Sequence, residues 1–221
     1  MTSKLDTTQA KPVTGGLLVA FEGVDGAGKS TQARSAVVQL RALGYEAVYL
    51  KEPTDGPIGT RLRQMMVSGT SRDYMEEFRL FLEDRREDVQ QNINPVLNAG
   101  GIVCMDRYYI SSMAYQGALG LDPEFIKSEN EKIAPPPDLI LYFHIPVEES
   151  LKRIVKSRPG GQNLFEMREY QEKVQAIFEA MTFPQMTPVD AMLPFADVTE
   201  HILGQIRDAI ARKNQQTTVL P

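Results

Sequence analysis

The chain has 221 residues, of which 42% are hydrophobic and 24% are charged, as expected of a soluble globular protein with one large α/β domain. Its formal net charge of −5 disfavours a general nucleic-acid-binding protein but is compatible with a local nucleotide pocket. The single cysteine excludes an intramolecular disulfide framework and favours a reducing cytoplasm, and no apolar stretch is long enough to span a bilayer.

Apolar runs of strand length alternate with segments of helical spacing along the chain. Predicted strands cover 17–22, 46–53, 101–106, 138–145 and 186–189. Predicted helices cover 31–43, 57–67, 72–98, 111–119, 123–133, a segment from 147, 164–181 and 198–211. This alternation predicts a three-layer α/β fold, with a parallel sheet of about five strands and helices on both faces. Residues 16–212 are expected to form a single domain between flexible tails at 1–15 and 213–221.

Residues 23–30, GVDGAGKS, match the P-loop pattern G-x-x-x-x-G-K-[ST] between a predicted strand and a predicted helix. The glycines allow consecutive backbone amides to point at one anion, and the helix N-terminus adds positive charge. Lys29 is then expected to reach the β- and γ-phosphates of ATP, and the Ser30 hydroxyl to bind Mg²⁺. A chance glycine-rich turn is the alternative, which the two correct flanks disfavour. The predicted ATP-binding residues are Gly23, Val24, Asp25, Gly26, Ala27, Gly28, Lys29, Ser30 and Thr31.

A second acid ends the predicted strand GIVCMD, where Asp106 is followed directly by Arg107. Because the carboxyl ends of parallel strands meet at one edge of a sheet, Asp25, Glu52 and Asp106 are expected to lie there together. In P-loop enzymes an acid at this position holds Mg²⁺, often through water, and an adjacent arginine can clamp a phosphate with two hydrogen bonds. An ordinary ion pair at the strand end is the alternative interpretation.

Four stretches of the chain, FEGVDGAGKSTQ, KEP, LFLEDRRE and DRYYISSMAYQG, occur in an order and spacing that resemble the thymidylate (dTMP) kinase family. The resemblance extends from about Leu17 to Ala211, and its first and fourth stretches are the most specific. It implies a P-loop nucleoside monophosphate kinase that uses ATP and Mg²⁺ to phosphorylate dTMP to dTDP in dTTP synthesis. It also implies a cytoplasmic homodimer.

The same resemblance implies an acceptor site. Asp25 matches the position that accepts a hydrogen bond from the 3′-hydroxyl of the acceptor deoxyribose, and Phe81 matches the aromatic that stacks on thymine. Arg107 is similar to the arginine that contacts the acceptor phosphate. A solvent-facing loop acid is the alternative for Asp25, and core packing is the alternative for Phe81. The implied acceptor-binding residues are Asp25, Glu52, Phe81, Arg85, Arg107, Ser112, Tyr115 and Gln116.

Residues 153–163, RIVKSRPGGQN, resemble a short lid. In relatives whose P-loop lacks an arginine, lid arginines supply positive charge over the transferring phosphoryl group, and this P-loop has none. The implied catalytic residues are Lys29, Arg107, Arg153 and Arg158. A solvated basic turn at a helix C-terminus is the alternative for the two lid arginines. Many relatives have an arginine at the position of Lys51. A lysine keeps the positive charge but cannot form the two parallel hydrogen bonds that an arginine forms with a phosphate or carboxylate.

The residues alone are also compatible with two other functions. One is a P-loop kinase of another nucleoside monophosphate or of a deoxynucleoside, and the other is a non-catalytic nucleotide-binding module. The intact set of Lys29, Ser30 and Asp106 disfavours the second. The expected partners are ATP, dTMP and a second copy of the chain, with no nucleic-acid polymer and no membrane.

Overall fold

Parallel strands form the central sheet of the protein, whose structure is a computed structural model describing residues 10–68, 73–157 and 164–216. The strands are β1 (Leu17–Glu22), β2 (Ala47–Lys51), β3 (Ile102–Asp106), β4 (Leu139–His144) and β5 (Met186–Asp190). In the described residues they form one five-stranded sheet in the order β2-β3-β1-β4-β5, and every pair is parallel. The predicted fold class is therefore confirmed.

Helices pack around this sheet and connect its strands. They are α1 (Lys29–Ala42), α2 (Pro57–Ser68), α3 (Tyr74–Asp88), α4 (Asn94–Asn98), α5 (Tyr109–Gly117), α6 (Pro123–Glu131), α7 (Val147–Ser157), α8 (Leu164–Ala180) and α9 (Phe195–Gln216). β1 and β3 are buried along their whole length, and β4 is buried up to its last residue. Their continuous apolar character follows from their central position, since a parallel strand covered on both faces has no solvent side.

The segment predicted as one helix over 72–98 is divided in the structure. Asp73 caps the start of α3 by accepting hydrogen bonds from the amides of Met75 and Glu76, and α3 ends at Asp88. A π-helical turn, Val89–Ile93, then connects α3 to α4. A periodicity of apolar residues does not resolve a single wider turn inside a helix, and π turns of this kind recur at functional sites.

Parts of the two predicted tails, 1–15 and 213–221, are packed against the domain in the structure. Lys11 pairs with Tyr45 in an isolated parallel bridge, and Val13 is buried and donates a backbone hydrogen bond to Gly100. At the other end α9 continues to Gln216, and Lys213 bonds to Asp138. The remaining parts of the predicted tails, 1–9 and 217–221, lie outside the described residues.

The strand register brings the loops of the functional motifs to one edge of the sheet. β1 and β3 pair Phe21 with Asp106, and β2 and β3 pair Lys51 with Asp106, so three neighbouring strands end at one level. The P-loop, the Glu52 segment and Arg107 follow directly from these three ends. Among the helices of the described residues, none is long and apolar enough to cross a membrane.

Candidate active site

Residues 23–30 form a loop, here called the donor loop, that leads from β1 into α1. Gly28 occupies the N-cap of α1 with φ 90°, a left-handed conformation that glycine adopts without steric cost, and no side chain caps the helix. The first amides of the helix are thus left for an anion. A Cβ atom at Gly26 would approach the Ser150 carbonyl oxygen of α7 to 2.6 Å, which explains why this loop position carries no side chain.

Lys29 is the buried cation of the donor loop, with 5% of its surface exposed. Its ammonium donates a hydrogen bond of 2.7 Å to the carbonyl oxygen of Val24 and folds back over the loop. Burial, reinforced by the neighbouring charge of Arg107, lowers the pKa of Lys29 to about 7. An anion in the loop would supply the opposite charge that a buried ammonium favours.

A cleft of about 290 Å³ adjoins the donor loop and is formed by α1, α7, the end of β5 and the start of α9. Leu193 and Phe195 line it and are about half exposed, at 49% and 52%. Arg153 also lines the cleft, and its guanidinium donates to the carbonyl oxygen of Ala191 at 3.0 Å. Such a mix of apolar walls and a few polar groups suits a heterocyclic base. Arg158 lies outside the described residues.

Arg107 connects the donor loop to α5. Its guanidinium donates to Asp25 Oδ1 at 2.5 Å, to the Gly23 carbonyl oxygen at 3.2 Å and to the Tyr115 hydroxyl at 3.0 Å. Arg107, at the end of β3, thus forms an ion pair with Asp25 of the donor loop. Asp25 is 54% exposed in its side chain, so this carboxylate is both paired and open to solvent.

The backbone of Arg107 is held in an unusual conformation. Its φ of 69° is the single positive value among the non-glycine residues that the structure describes, and such values occur preferentially at functional sites. Glu22 supports this turn from beneath, because its carboxylate accepts from the Tyr108 amide at 2.8 Å and from the Ser111 hydroxyl at 2.5 Å. Ser111 in turn accepts from Arg107 at 3.0 Å. Burial raises the pKa of Glu22 to about 7.

The two residues predicted to bind Mg²⁺ lie on neighbouring elements of the same edge. Asp106 is 2% exposed at the end of β3, and Ser30 is exposed in the first turn of α1. The hydroxyl of Tyr49 donates to Asp106 Oδ2 at 2.7 Å, and burial raises the pKa of Tyr49 to about 12. A hydroxyl and a carboxylate are the hard oxygen donors that Mg²⁺ prefers. Among the described residues there is no group of three or more His, Cys, Asp or Glu that would form an all-protein metal cage.

A buried polar cluster, here called the acceptor network, joins Glu52, Arg85, Ser112 and Asn130. Arg85 is 1% exposed and donates to Glu52 Oε2 from Nε at 2.7 Å and from Nη2 at 2.5 Å. It also donates to Ser112 at 3.2 Å and to the side-chain oxygen of Asn130. Burial raises the pKa of Glu52 to about 8 although Arg85 opposes that shift, and Glu52 Oε1 has no hydrogen-bond partner.

Gln116 and Tyr115 extend this region along α5. Ser112 and Gln116 are four residues apart, so they share one helical face. Gln116 is 2% exposed; its amide interacts with the Glu77 carboxylate, and its amide oxygen has no hydrogen-bond partner among the described residues. The Tyr115 ring lies beneath the guanidinium of Arg107, whose central carbon is 4.7 Å from the ring centroid. A buried amide oxygen without a partner is costly unless a ligand satisfies it.

Phe81 and Phe78 on α3 have different surroundings. Phe78 is 1% exposed and belongs to the hydrophobic core, whereas Phe81 is half-buried and is not among the side chains packed against that core in the described part of the chain. Arg85 lies four residues after Phe81, on the same face of α3. Core packing, the alternative for Phe81, is thus not its role in the structure.

Several residues of this edge were not predicted to take part in the site. Glu22, Tyr49 and Asn130 each bond directly to a predicted site residue or to its immediate neighbours. Glu22 did leave a signal, because an acid that ends a fully apolar strand has to be compensated by buried partners. Asn130 left none, since it stands in a short helix among polar residues.

A family model and several curated relatives of this chain point to one family. The family described as thymidylate kinase matches residues 21–202. A thymidylate kinase of Desulfotalea psychrophila is 44% identical over 195 residues, which cover 88% of this chain and 96% of the relative. A thymidylate kinase of Xanthomonas campestris is 45% identical over 177 residues, covering 80% of this chain and 77% of the relative. A third, from Brachyspira hyodysenteriae, is 36% identical over 194 residues, covering 88% and 95%.

Proposed function

This chain belongs to the thymidylate kinase family, and we propose that it carries out ATP-dependent phosphorylation of dTMP to dTDP with the residues of this edge of the sheet. One observation carries the proposal. The contact of 2.5 Å between Asp25 and Arg107 joins the phosphate-binding loop to an arginine beside the acceptor network. Donor and acceptor sites thus share a boundary, as direct phosphoryl transfer between two nucleotides requires.

ATP binds along the donor loop in this proposal. The uncapped amides at the start of α1 and the ammonium of Lys29 hold the phosphates, while the adjoining cleft holds the base against Leu193 and Phe195. Binding of the phosphates draws Lys29 away from the Val24 carbonyl oxygen and keeps it protonated. The remaining loop residues bind the phosphates through their backbone.

dTMP binds on the opposite side of Asp25. The Asp25 carboxylate accepts a hydrogen bond from the 3′-hydroxyl, Arg107 binds the 5′-phosphate, and Phe81 stacks on the base. Arg85 directs a donor at a base carbonyl oxygen, since its guanidinium has five N–H groups and four are bonded within the network. The amide oxygen of Gln116 accepts a hydrogen bond from the adjacent imide N–H of thymine.

Phosphoryl transfer needs no strong general base, because the acceptor is already a phosphate anion. Catalysis consists of in-line positioning and of neutralising charge between the two nucleotides. Lys29 and Arg107 supply this charge from the two sides of Asp25, and Arg153 and Arg158 of the proposed lid (153–163) are the further catalytic residues of this proposal. The approach of a Cβ atom at position 26 to the Ser150 carbonyl oxygen leaves no room for an arginine at that position of the loop.

Magnesium is the proposed cofactor, and Ser30 and Asp106 would hold it. Bound Mg²⁺ supplies charge neutralisation on the β- and γ-phosphate oxygens. The donor set fits this ion, since Mg²⁺ usually takes one or two protein oxygens and completes its shell with phosphates and water.

We further propose that the chain acts in the cytoplasm as a homodimer with one kinase domain per protomer, residues 16–212. Family membership supports the dimer, and the one described sheet supports the single domain.

An ADP-release assay with MgATP and a panel of acceptors tests the proposed activity. The panel is dTMP, dUMP, dCMP, AMP, GMP and thymidine. We expect dTMP to give the highest kcat/KM. Equal use of another acceptor would overturn the substrate assignment, and no release above the acceptor-free background would overturn the kinase assignment.

A further inference from the structure

A tyrosine hydroxyl lies between the two residues proposed to bind magnesium. Tyr49 donates to Asp106 at 2.7 Å, and the Ser30 hydroxyl lies close enough to the same phenol to lower the pKa of Tyr49. The three residues come from different elements, since Tyr49 is in β2, Asp106 ends β3 and Ser30 begins α1. One phenol therefore connects both oxygen donors of the proposed metal site.

The register of the sheet explains how Tyr49 reaches Asp106. Tyr49 pairs with Cys104 in the β2–β3 ladder, so Asp106 is the next residue of β3 that points to the same face. A diagonal neighbour of this kind is within reach of a long aromatic side chain. The contact is therefore determined by two strands and not by a loop.

Arg34 fixes the other side of the tyrosine ring. Its guanidinium carbon lies 4.0 Å from the centroid of the Tyr49 ring, a cation–π distance. Arg34 follows Ser30 by four residues in α1, so the two residues lie on the same face of that helix. The phenol is thus held at its hydroxyl by Asp106 and Ser30 and at its face by Arg34.

We propose that Tyr49 is a positioning residue that orients the Asp106 carboxylate and the Ser30 hydroxyl for a magnesium–nucleotide complex. A protonated phenol donates to one carboxylate oxygen and leaves the other for a ligand. Partners that bond to metal ligands in this way commonly control metal affinity by ten- to a hundredfold. The inference rests on the proposed metal role of Ser30 and Asp106, and it does not depend on the identity of the acceptor.

Calorimetric binding of the β,γ-imido analogue of ATP, with Mg²⁺ and separately with EDTA, tests this role. Tyr49→Phe removes only the hydroxyl. We expect it to weaken binding about tenfold with Mg²⁺ and less than twofold with EDTA. Equal losses in both conditions would identify a purely structural tyrosine, and no loss with Mg²⁺ would also overturn the proposal.

Tyr45→Phe is the matched control, because Tyr45 precedes the same strand and also has a cation over its ring, Lys11 at 5.7 Å. It has no contact with the metal pair, and its binding constants should equal those of the unaltered protein in both conditions. Arg34→Gln should weaken the magnesium-dependent binding alone, by about two- to fivefold.

A double-mutant cycle asks whether Tyr49 acts through Asp106. Asp106→Asn alone should remove most of the magnesium dependence of binding. In that background Tyr49→Phe should have no further effect, because the carboxylate it orients is gone. Additive losses would contradict the proposal. None of these measurements uses dTMP. They therefore test the role of Tyr49 even if dTMP proves not to be the acceptor.

Discussion

The donor loop and the acceptor network meet at the same edge of the sheet, but the chain builds them in opposite ways. The donor loop is one continuous segment whose binding groups are backbone amides and a single buried lysine. The acceptor network takes its side chains from four segments, and Arg85 reaches partners 33 and 45 positions away in the sequence. A binding site made of backbone groups is visible in the sequence as a local motif. A buried network of side chains is instead assembled from distant segments and is part of the protein core.

This difference predicts that the two sites respond differently to substitution. Residues of the acceptor network should contribute to stability as well as to binding, because their charges are buried and paired. Substitutions in the donor loop should lower activity but change stability little. The buried lysine of this loop is bonded to a carbonyl oxygen, and the proposed source of its opposite charge is a bound nucleotide. The predictions below test that contrast.

Arg85→Met is expected to have the largest effect. It removes the cation and the hydrogen-bond donors from the buried Glu52 carboxyl, which must then be protonated, so we expect a loss of about 3–5 kcal/mol in the free energy of unfolding. Denaturation in urea measures it. Arg86→Met, an exposed neighbour on α3, is the control and should change stability little. The double variant Arg85→Met/Glu52→Gln should recover part of the lost stability. An Arg85→Met variant as stable as the unaltered protein would contradict the structural role of the acceptor network.

Lys29→Met should lower kcat by about 10²- to 10³-fold, because it removes a positive charge that meets the transferring group. Its free energy of unfolding should equal or exceed that of the unaltered protein, since the buried ammonium is costly without a nucleotide. Steady-state kinetics and urea denaturation measure the two effects. Lys173→Met on the surface of α8 serves as the control. A strongly destabilised Lys29→Met would show that the donor loop also has a structural role.

Gln116→Leu separates binding from stability inside the acceptor region. It removes a buried amide whose oxygen has no partner among the described residues and whose other contact is with Glu77, so stability should change little. The dissociation constant for dTMP should rise roughly 10- to 100-fold, as expected when a site loses its hydrogen bonds to a base. Gln39→Leu, on the exposed face of α1, should change neither quantity. An unchanged dTMP affinity in Gln116→Leu would remove Gln116 from the site.

The pH dependence of stability is the last test of the contrast. The pKa of Lys29 is lowered to about 7 in the folded protein, so the unfolded chain binds more protons at this position between pH 7 and the ordinary lysine pKa of 10.5. The stability of the unaltered protein therefore rises with pH in that window, whereas Lys29→Met lacks this dependence. Without nucleotide, any stability advantage of Lys29→Met over the unaltered protein should shrink from pH 7 to pH 9.5. A constant difference would contradict the burial of a charged lysine.

The same contrast explains how much of the protein the sequence predicts. Strand runs such as 17–22 and the loop 23–30 are local, so apolar character, glycine spacing and helix start signals suffice to place them. The predicted helix 72–98 was correct in type but missed the π-helical turn at Val89–Ile93, because one extra residue in a turn barely changes apolar spacing.

The side-chain partners of the acceptor region are harder to predict. A family resemblance implied Arg85 and Ser112, and the contacts of Arg85 with Ser112 and Asn130 depend on how α3, α5 and α6 pack. Glu22 could have been suspected as an acid at the end of a buried strand. Tyr49 requires the β2–β3 register, which no local pattern in the chain contains.

Calorimetric titration of the nucleotide-free protein with dTMP and with dCMP tests the central claim most directly, because it examines the acceptor site alone. Arg85 carries only hydrogen-bond donors, so it can donate to the carbonyl oxygen of thymine but cannot accept from the amino group of cytosine. We predict that dTMP binds at least about tenfold more tightly than dCMP. Equal affinities would contradict the account of a thymine-specific acceptor site built around Arg85.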